Sequence, residues 1–210
     1  MNNFAHRARR PLLALVAMAA LGTGLGGCAA LVIGGAFVGG SLIVTDRRTS
    51  GAQIDDQSIE IKANSRVREL LADRGHVSTT SYNRLVLLTG EVATEADKAA
   101  VEQAIARVEN VRSVVNELAV TGISSLTSRS NDTFLTGKVK TSLVDAKDLL
   151  ANTFKVVTER GTVYLMGRVS EREATRASDI ARGVPGVQKV VRVFEVLSEA
   201  ELANLPKVTQ

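Results

Sequence analysis

The sequence predicts an α+β fold: two tandem αββαβ units, each a three-stranded mixed sheet with two helices on one face. Three observations carry that expectation. The first is an internal repeat. Val86-Leu87-Leu88-Thr89-Gly90-Glu91-Val92 matches Val163-Tyr164-Leu165-Met166-Gly167-Arg168-Val169, and Val108-Glu109-Asn110-Val111 matches Val184-Pro185-Gly186-Val187. Upstream, Asp56 and Ile59 correspond to Asp132 and Leu135. Two copies of one domain explain this better than a solenoid, whose units each need several neighbours to bury their apolar faces. The second is apolar spacing that switches between helical and extended periods along each copy. The third is Ser170-Glu171-Arg172-Glu173, a capping box in which serine and glutamate satisfy free amides at a helix start.

The elements follow in order. In the second copy Leu135, Val139 and Leu143 form one helical stripe, and Asp132 of Asn131-Asp132-Thr133 is the expected N-cap. Phe154, Val156 and Thr158 alternate as a strand, Arg160-Gly161 turns the chain, and Val163 to Met166 continue as the next strand. Behind the capping box, Ala174, Ala177, Ile180 and Ala181 form a buried stripe; Pro185-Gly186 ends it, and residues 187–196 form the last strand. The first copy reads as a helix over 56–73, strands near 77–81 and 85–90, a helix over 95–108 and a strand over 112–121. The strand–helix–strand portion favours a parallel, right-handed crossover, while the tight turn makes its strands antiparallel. Gly90 and Gly167 take equivalent places after apolar strands and are read as structural, for positive φ or close backbone approach.

Each unit is small, with a modest core. Leu85 and Leu87 alternate against Val86 and Leu88, so the sheet is apolar on both sides. Docking the two sheets through their uncovered faces would bury the second side, with Tyr82, Thr89 and Thr158 expected near the contact.

Ahead of the repeats, Arg7, Arg9 and Arg10 precede a short apolar run over 12–21 and then Leu25-Gly26-Gly27-Cys28. That order is a secretory leader, too short to span a bilayer, and its end resembles a bacterial lipobox. Cys28, the single cysteine, is then the acylated N-terminus of the mature chain. In lipoproteins an aspartate after that cysteine means inner-membrane retention, so Ala29 implies an outer-membrane anchor facing the periplasm. Residues 29–45 are apolar but shorter than a span and interrupted by Gly34, Gly35, Gly39 and Gly40, which points to a juxtamembrane tether. The expected divisions are a signal peptide over 1–27, an acylated tether over 28–53, a first domain over 54–121, a linker over 122–130, a second domain over 131–197 and a tail over 198–210.

Charge is distributed unevenly. The chain carries +4 in all, but the leader holds three arginines and no acid, so the mature part is close to neutral. Residues 54–121 hold 8 Lys and Arg against 11 Asp and Glu; residues 129–197 hold 12 against 8. The second copy is therefore the one suited to an anionic partner. Near-neutral mature charge, 3% aromatic residues and the export signal argue against nucleic acid.

The apolar strand, Gly, Val, alanine-rich helix and Val-x-x-Val-x-x-Val-Val pattern resembles the BON domain, an αββαβ module of bacterial envelope proteins. Thr45-Asp46-Arg47-Arg48-Thr49-Ser50-Gly51 also resembles the lead-in to the first domain of dual-BON lipoproteins, with Arg47 standing where the family often has proline. The resemblance implies an interaction or phospholipid-binding protein rather than an enzyme, concerned with envelope integrity, with division sites as one place of action. It also implies binding of an anionic phospholipid membrane through the second domain. A scaffold that recruits outer-membrane or division proteins is the alternative.

The residues themselves offer little reactive chemistry. His76 is the only histidine beyond the leader and Cys28 is committed to acylation, so Cys/His metal sites and Ser-His-Asp or Cys-His groups lack members; no cofactor or metal is expected. Asp55-Asp56 reads as a helix-start pair. The best candidate contact is the second copy's first helix, where Phe134 and Leu135 are accompanied by Arg129, Lys138 and Lys140. An apolar tip ringed by cations is what an interfacial helix needs. Spacing with Val139 turns Leu135 inward, leaving Phe134 either as a core residue or as the membrane contact.

Overall fold

The structure is a computed structural model, and it describes residues 46–205. Cys28, Ala29, the leader and the tether up to residue 45 lie outside those residues, as does the end of the tail after residue 205.

Both copies have the expected order. In the first, helix α1 (Ser50–Leu71) leads to strands β1 (Gly75–Tyr82) and β2 (Leu85–Val92), helix α2 (Glu95–Ala106) and the short strands β3 (Ser113–Asn116) and β4 (Ala119–Val120). In the second, α3 (Leu126–Asp145) is followed by a 3₁₀ turn (Ala151–Thr153), β5 (Lys155–Glu159), β6 (Thr162–Val169), α4 (Glu171–Arg182) and β7 (Lys189–Val196), with a terminal α5 (Glu199–Ala203). β1 pairs antiparallel with β2, and β2 runs parallel to β3 and β4; β5, β6 and β7 repeat the scheme. The first copy's last strand is split rather than continuous. The Asn116 side chain accepts from the Leu118 amide, and Leu118 turns into the core between the two pieces.

Helix starts differ from the sequence reading. α1 begins at Ser50 with Thr49 as N-cap, so Asp55 and Asp56 lie inside the helix, not before it. α3 begins at Leu126, within the segment read as linker, and Ser125 rather than Asp132 is its N-cap. The serine-rich stretch Ser124-Ser125 looked like a loop because serine competes for backbone hydrogen bonds, yet that same chemistry makes it a good cap. The tether's last residues, 50–53, are helical as well.

Asp56 and Asp132 are freed from capping for another task, which is the same in both copies. Each hairpin is a two-residue turn with positive φ at both positions: Asn83 and Arg84 in one, Arg160 and Gly161 in the other. The Asn83 and Arg84 amides donate to Asp56, both at 2.7 Å, and the Arg160 and Gly161 amides donate to Asp132, both at 2.8 Å. A buried helix carboxylate thus holds each turn in a backbone conformation that Asn83, Arg84 and Arg160 would otherwise resist.

Each sheet buries one face under its own helices. Val86, Leu88 and Val92 pack with Ile59, Ala63, Val67, Leu71, Val101 and Ile105; Val163, Leu165 and Val169 pack with Leu135, Val139, Leu143, Ala174, Ala177 and Ala181. The opposite faces meet in a third core of Tyr82 and Leu87 from one copy with Tyr164, Met166 and Val193 from the other. Two-sided strands therefore serve two cores each, and the tandem copies form one packed body.

Gly90 and Gly167 are structural for related reasons. Gly90 has φ +113°, and a Cβ there would stand 2.0 Å from the His76 carbonyl oxygen; at Gly167 a Cβ would stand 2.6 Å from that of Thr153.

Candidate functional site

The exposed face of α3 carries the candidate contact residues. Phe134 lies on the outside, 67% exposed, which settles the alternative left by the sequence: it does not fill the core. The Lys138 ammonium sits 4.8 Å from its ring centroid, one helical turn along, in cation–π range. Lys138 and Lys140 are exposed, and neither makes an ion pair among the described residues. Leu135 is a correction to the lipid-contact set: it is buried in the second domain's core beside Val139 and Leu143, as helical spacing demands.

Arg129 is also placed differently. It is half-buried, and its guanidinium donates to the Ser124 carbonyl at 3.2 Å, so it lies towards the junction between the copies rather than beside Phe134 as a free surface charge. Phe134 and Lys138 border a groove of about 660 Å³ that also includes Arg160, Pro185, Gly186 and Gln188. The site is therefore an aromatic side chain, the Lys138 ammonium group and a groove bordered by the loop that ends α4. Lys140 stands apart from it, six residues beyond Phe134 and so about 120° round the helix.

The interdomain residues divide. Tyr82 is in the shared core, its hydroxyl donating to the Thr153 carbonyl at 3.3 Å, and burial pushes its pKa up to about 12. Thr89 is buried on β2, two residues from Leu87 and therefore on the face that meets the second copy. Thr158 is not there. Its hydroxyl shares a 2.7 Å hydrogen bond with Thr136 of α3, which puts it on the helix-covered side. Strand alternation decides this: Val156 belongs to the helix-side core and Val157 to the shared one, so Thr158 follows Val156.

Several residues that sequence reasoning passed over reinforce the junction. Arg47 forms a two-pronged pair with Glu173 at 2.7 and 2.8 Å and donates to the Arg168 carbonyl at 2.9 Å, while Arg168 donates back to the Arg47 carbonyl at 3.1 Å. The lead-in to the first copy is thus strapped to the capping box of the second. Burial alone would raise the Glu173 carboxyl, but its hydrogen bonds from Arg47 and the Ser170 amide hold it below its ordinary range. Arg48 stacks 4.3 Å from the Tyr82 ring centroid and pairs with Asp46 and Asp56. Lys155 bridges to Glu60 and to the Ser81 carbonyl, and Asn83 donates to Glu195 at 2.6 Å. Asp55 is occupied by Arg84 and Asn110, so the adjacent carboxylates are engaged in structure and do not form an acid–base pair.

This arrangement defines a class. The BON domain family profile matches residues 55–122 and 131–198, and the chain belongs to that family, with two copies of the domain. Among curated relatives it is similar to the outer membrane lipoprotein DolP of Haemophilus influenzae, 39% identical over 175 residues that cover 82% of this chain and 90% of that one. It is also similar to a 21 kDa hemolysin of Actinobacillus pleuropneumoniae, 31% identical over 71% of this chain and 78% of the relative. A third relative is the osmotically-inducible protein Y of Escherichia coli, 30% identical over 67% of this chain and 72% of the relative. The chain is a DolP-like, dual-BON protein.

Proposed function

We propose that the protein is a lipoprotein anchored through Cys28 in the outer membrane, facing the periplasm, whose second BON domain binds anionic phospholipid and so helps maintain the envelope, division sites included. The carrying observation is Phe134: a large aromatic side chain left 67% exposed beside a lysine with no acidic partner among the described residues. An exposed aromatic next to an unpaired ammonium group, with Lys140 adding exposed charge elsewhere on the same helix, suits the boundary between headgroups and acyl chains, where the ring is buried and the cations meet phosphate. The DolP relative, named as an outer membrane lipoprotein, supports the anchor. No helix among the described residues is long and apolar enough to cross a membrane, so on this reading Cys28 supplies the attachment.

The test is co-sedimentation of the protein with neutral or phosphatidylglycerol-containing vesicles. Binding is expected to the anionic vesicles, and Phe134→Asp should remove most of it with the circular dichroism spectrum unchanged. Lys138→Glu with Lys140→Glu should weaken it chiefly at low salt, because exposed charge is screened over about 8 Å at physiological ionic strength. Equal binding by wild type and Phe134→Asp would reject the lipid reading and leave the protein scaffold in its place. Intact mass of the native protein checks the anchor: a retained leader or an unmodified Cys28 would refute it.

A further inference from the structure

Three ligand-bearing side chains meet where the two copies join. His76 on β1 is the register partner of Glu91 on β2, so their side chains share the face turned towards the second copy. Glu159 closes the group from the end of β5. One ligand atom from each lies within 4.8 Å of the other two, and His76 Nδ1 stands 3.8 Å from Glu91 Oε2. Gly90 allows this closeness, because only a residue without Cβ lets β2 approach the His76 carbonyl so nearly.

The polar atoms are unsatisfied. Glu91 is 0% exposed and Glu159 9%, yet Glu91 Oε1, Glu159 Oε1 and His76 Nδ1 have no hydrogen-bond partner. Buried carboxylates without a counter-charge are costly, and two beside each other repel. Arg129 and Arg160 act on Glu159 electrostatically, but neither bonds the three unpartnered atoms. The Ser124 hydroxyl reaches only Glu91 Oε2, at 3.2 Å. Arg129 lies along the same groove, but its guanidinium bonds the Ser124 carbonyl and its Nε is itself unpartnered. Asp132 is taken up by the Arg160 and Gly161 amides and is not available as a ligand.

We infer that His76, Glu91 and Glu159 bind one divalent metal ion of the zinc class across the junction of the two domains. One cation would give all three side chains a common partner. An imidazole nitrogen with carboxylate oxygens suits zinc and its neighbours, whereas calcium and magnesium favour oxygen throughout. Metal–ligand bonds of about 2.0–2.2 Å require the three atoms to close by about an ångström, within side-chain adjustment. His76 is 30% exposed through its side chain and borders a groove of about 350 Å³, which gives the ion an entry path and leaves a position for water. Because two ligands come from the first domain and one from the second, the ion fastens the docked pair.

The test uses untagged protein stripped with chelator and titrated with zinc chloride and cobalt chloride. One equivalent should bind, and cobalt should show the visible bands of a low-coordinate site. A hundredfold excess of zinc over its Kd should raise the melting temperature by about 5–10 °C. His76→Gln and Glu159→Gln should each lower affinity at least about tenfold, while Phe134→Asp should leave it unchanged. The wild type gives a readout free of substitution, since His76 is the one histidine beyond the leader. Its imidazole nitrogen resonances should move at one equivalent of zinc. Unmoved resonances, absent binding at about 100-micromolar zinc (roughly two thousand times the Kd of about 50 nM at the weak end of structural zinc binding), or binding that survives both substitutions would overturn the proposal.

Discussion

The two copies share a fold and differ on the outer face of the first helix, about two turns from its start. Ser58 in the first copy corresponds to Phe134 in the second, and Lys62 to Lys138. Lys62 is neutralised by Glu109 at 2.7 Å, whereas Lys138 lies over an exposed aromatic ring. One scaffold therefore presents a charge-balanced lysine at this place in one copy and an aromatic, cationic pair in the other. On the proposed reading the second copy offers the contact face, while the junction draws on both copies.

The junction shows the same asymmetry. Asp56 accepts from the Ser81 hydroxyl and the Arg48 guanidinium in addition to its two turn amides, while Asp132 is bonded to its turn amides. Removing each carboxylate measures that difference. Asp56→Ala should cost about 3–4 kcal/mol, because it also removes the acceptor of the Ser81 hydroxyl and of one Arg48 nitrogen, although Asp46 still holds that guanidinium. Asp132→Ala should cost about 2 kcal/mol, the loss of two charge-assisted bonds to a strained turn. Urea unfolding of both variants checks the order, and equal losses would mean that the Arg48 and Ser81 bonds add nothing to the two turn amides.

The two helix faces can be exchanged next. Phe134→Asp should lower affinity for anionic vesicles by about 10–100-fold, the value of one buried aromatic side chain. Ser58→Phe in that background should restore little, because Lys62 remains paired with Glu109. Full rescue by Ser58→Phe would show that position on the chain, rather than local charge, selects the working copy.

Much of this architecture was legible in the sequence, since the repeat, the strand alternation and the Ser170–Glu173 box are local signals. The box is present as read, with Ser170 and Glu173 bonded reciprocally. Leu87 on the second sheet face foretold docking for the same reason: its period exposes an apolar side that one layer of helices cannot cover. Helix starts were misread because Asp56 and Asp132 have good capping chemistry, and only the tertiary fold shows the turns they hold. Their correspondence in the repeat was the available signal, since capping does not explain why both copies keep Asp three residues before the buried Ile59 and Leu135. The His76, Glu91 and Glu159 cluster had no such signal. Its members are 83 residues apart at the extremes and meet through strand register and domain docking.

The smallest expected effect tests the strap between the copies. Arg47→Ala should cost about 1–2 kcal/mol at neutral pH, for a partly buried, two-pronged guanidinium–carboxylate pair. Acid sharpens the measurement. In the folded protein Arg47 keeps the Glu173 carboxyl below its ordinary value of 4.5, so the unfolded chain takes up this proton first as pH falls. The stabilisation is therefore complete above pH 4.5 and disappears as pH falls through the lower folded value. Wild type and Arg47→Ala should differ in melting temperature at pH 7 and converge below pH 4.5. A constant gap across that range would mean that Arg47 acts through its bond to the Arg168 carbonyl, which does not titrate, and not through Glu173.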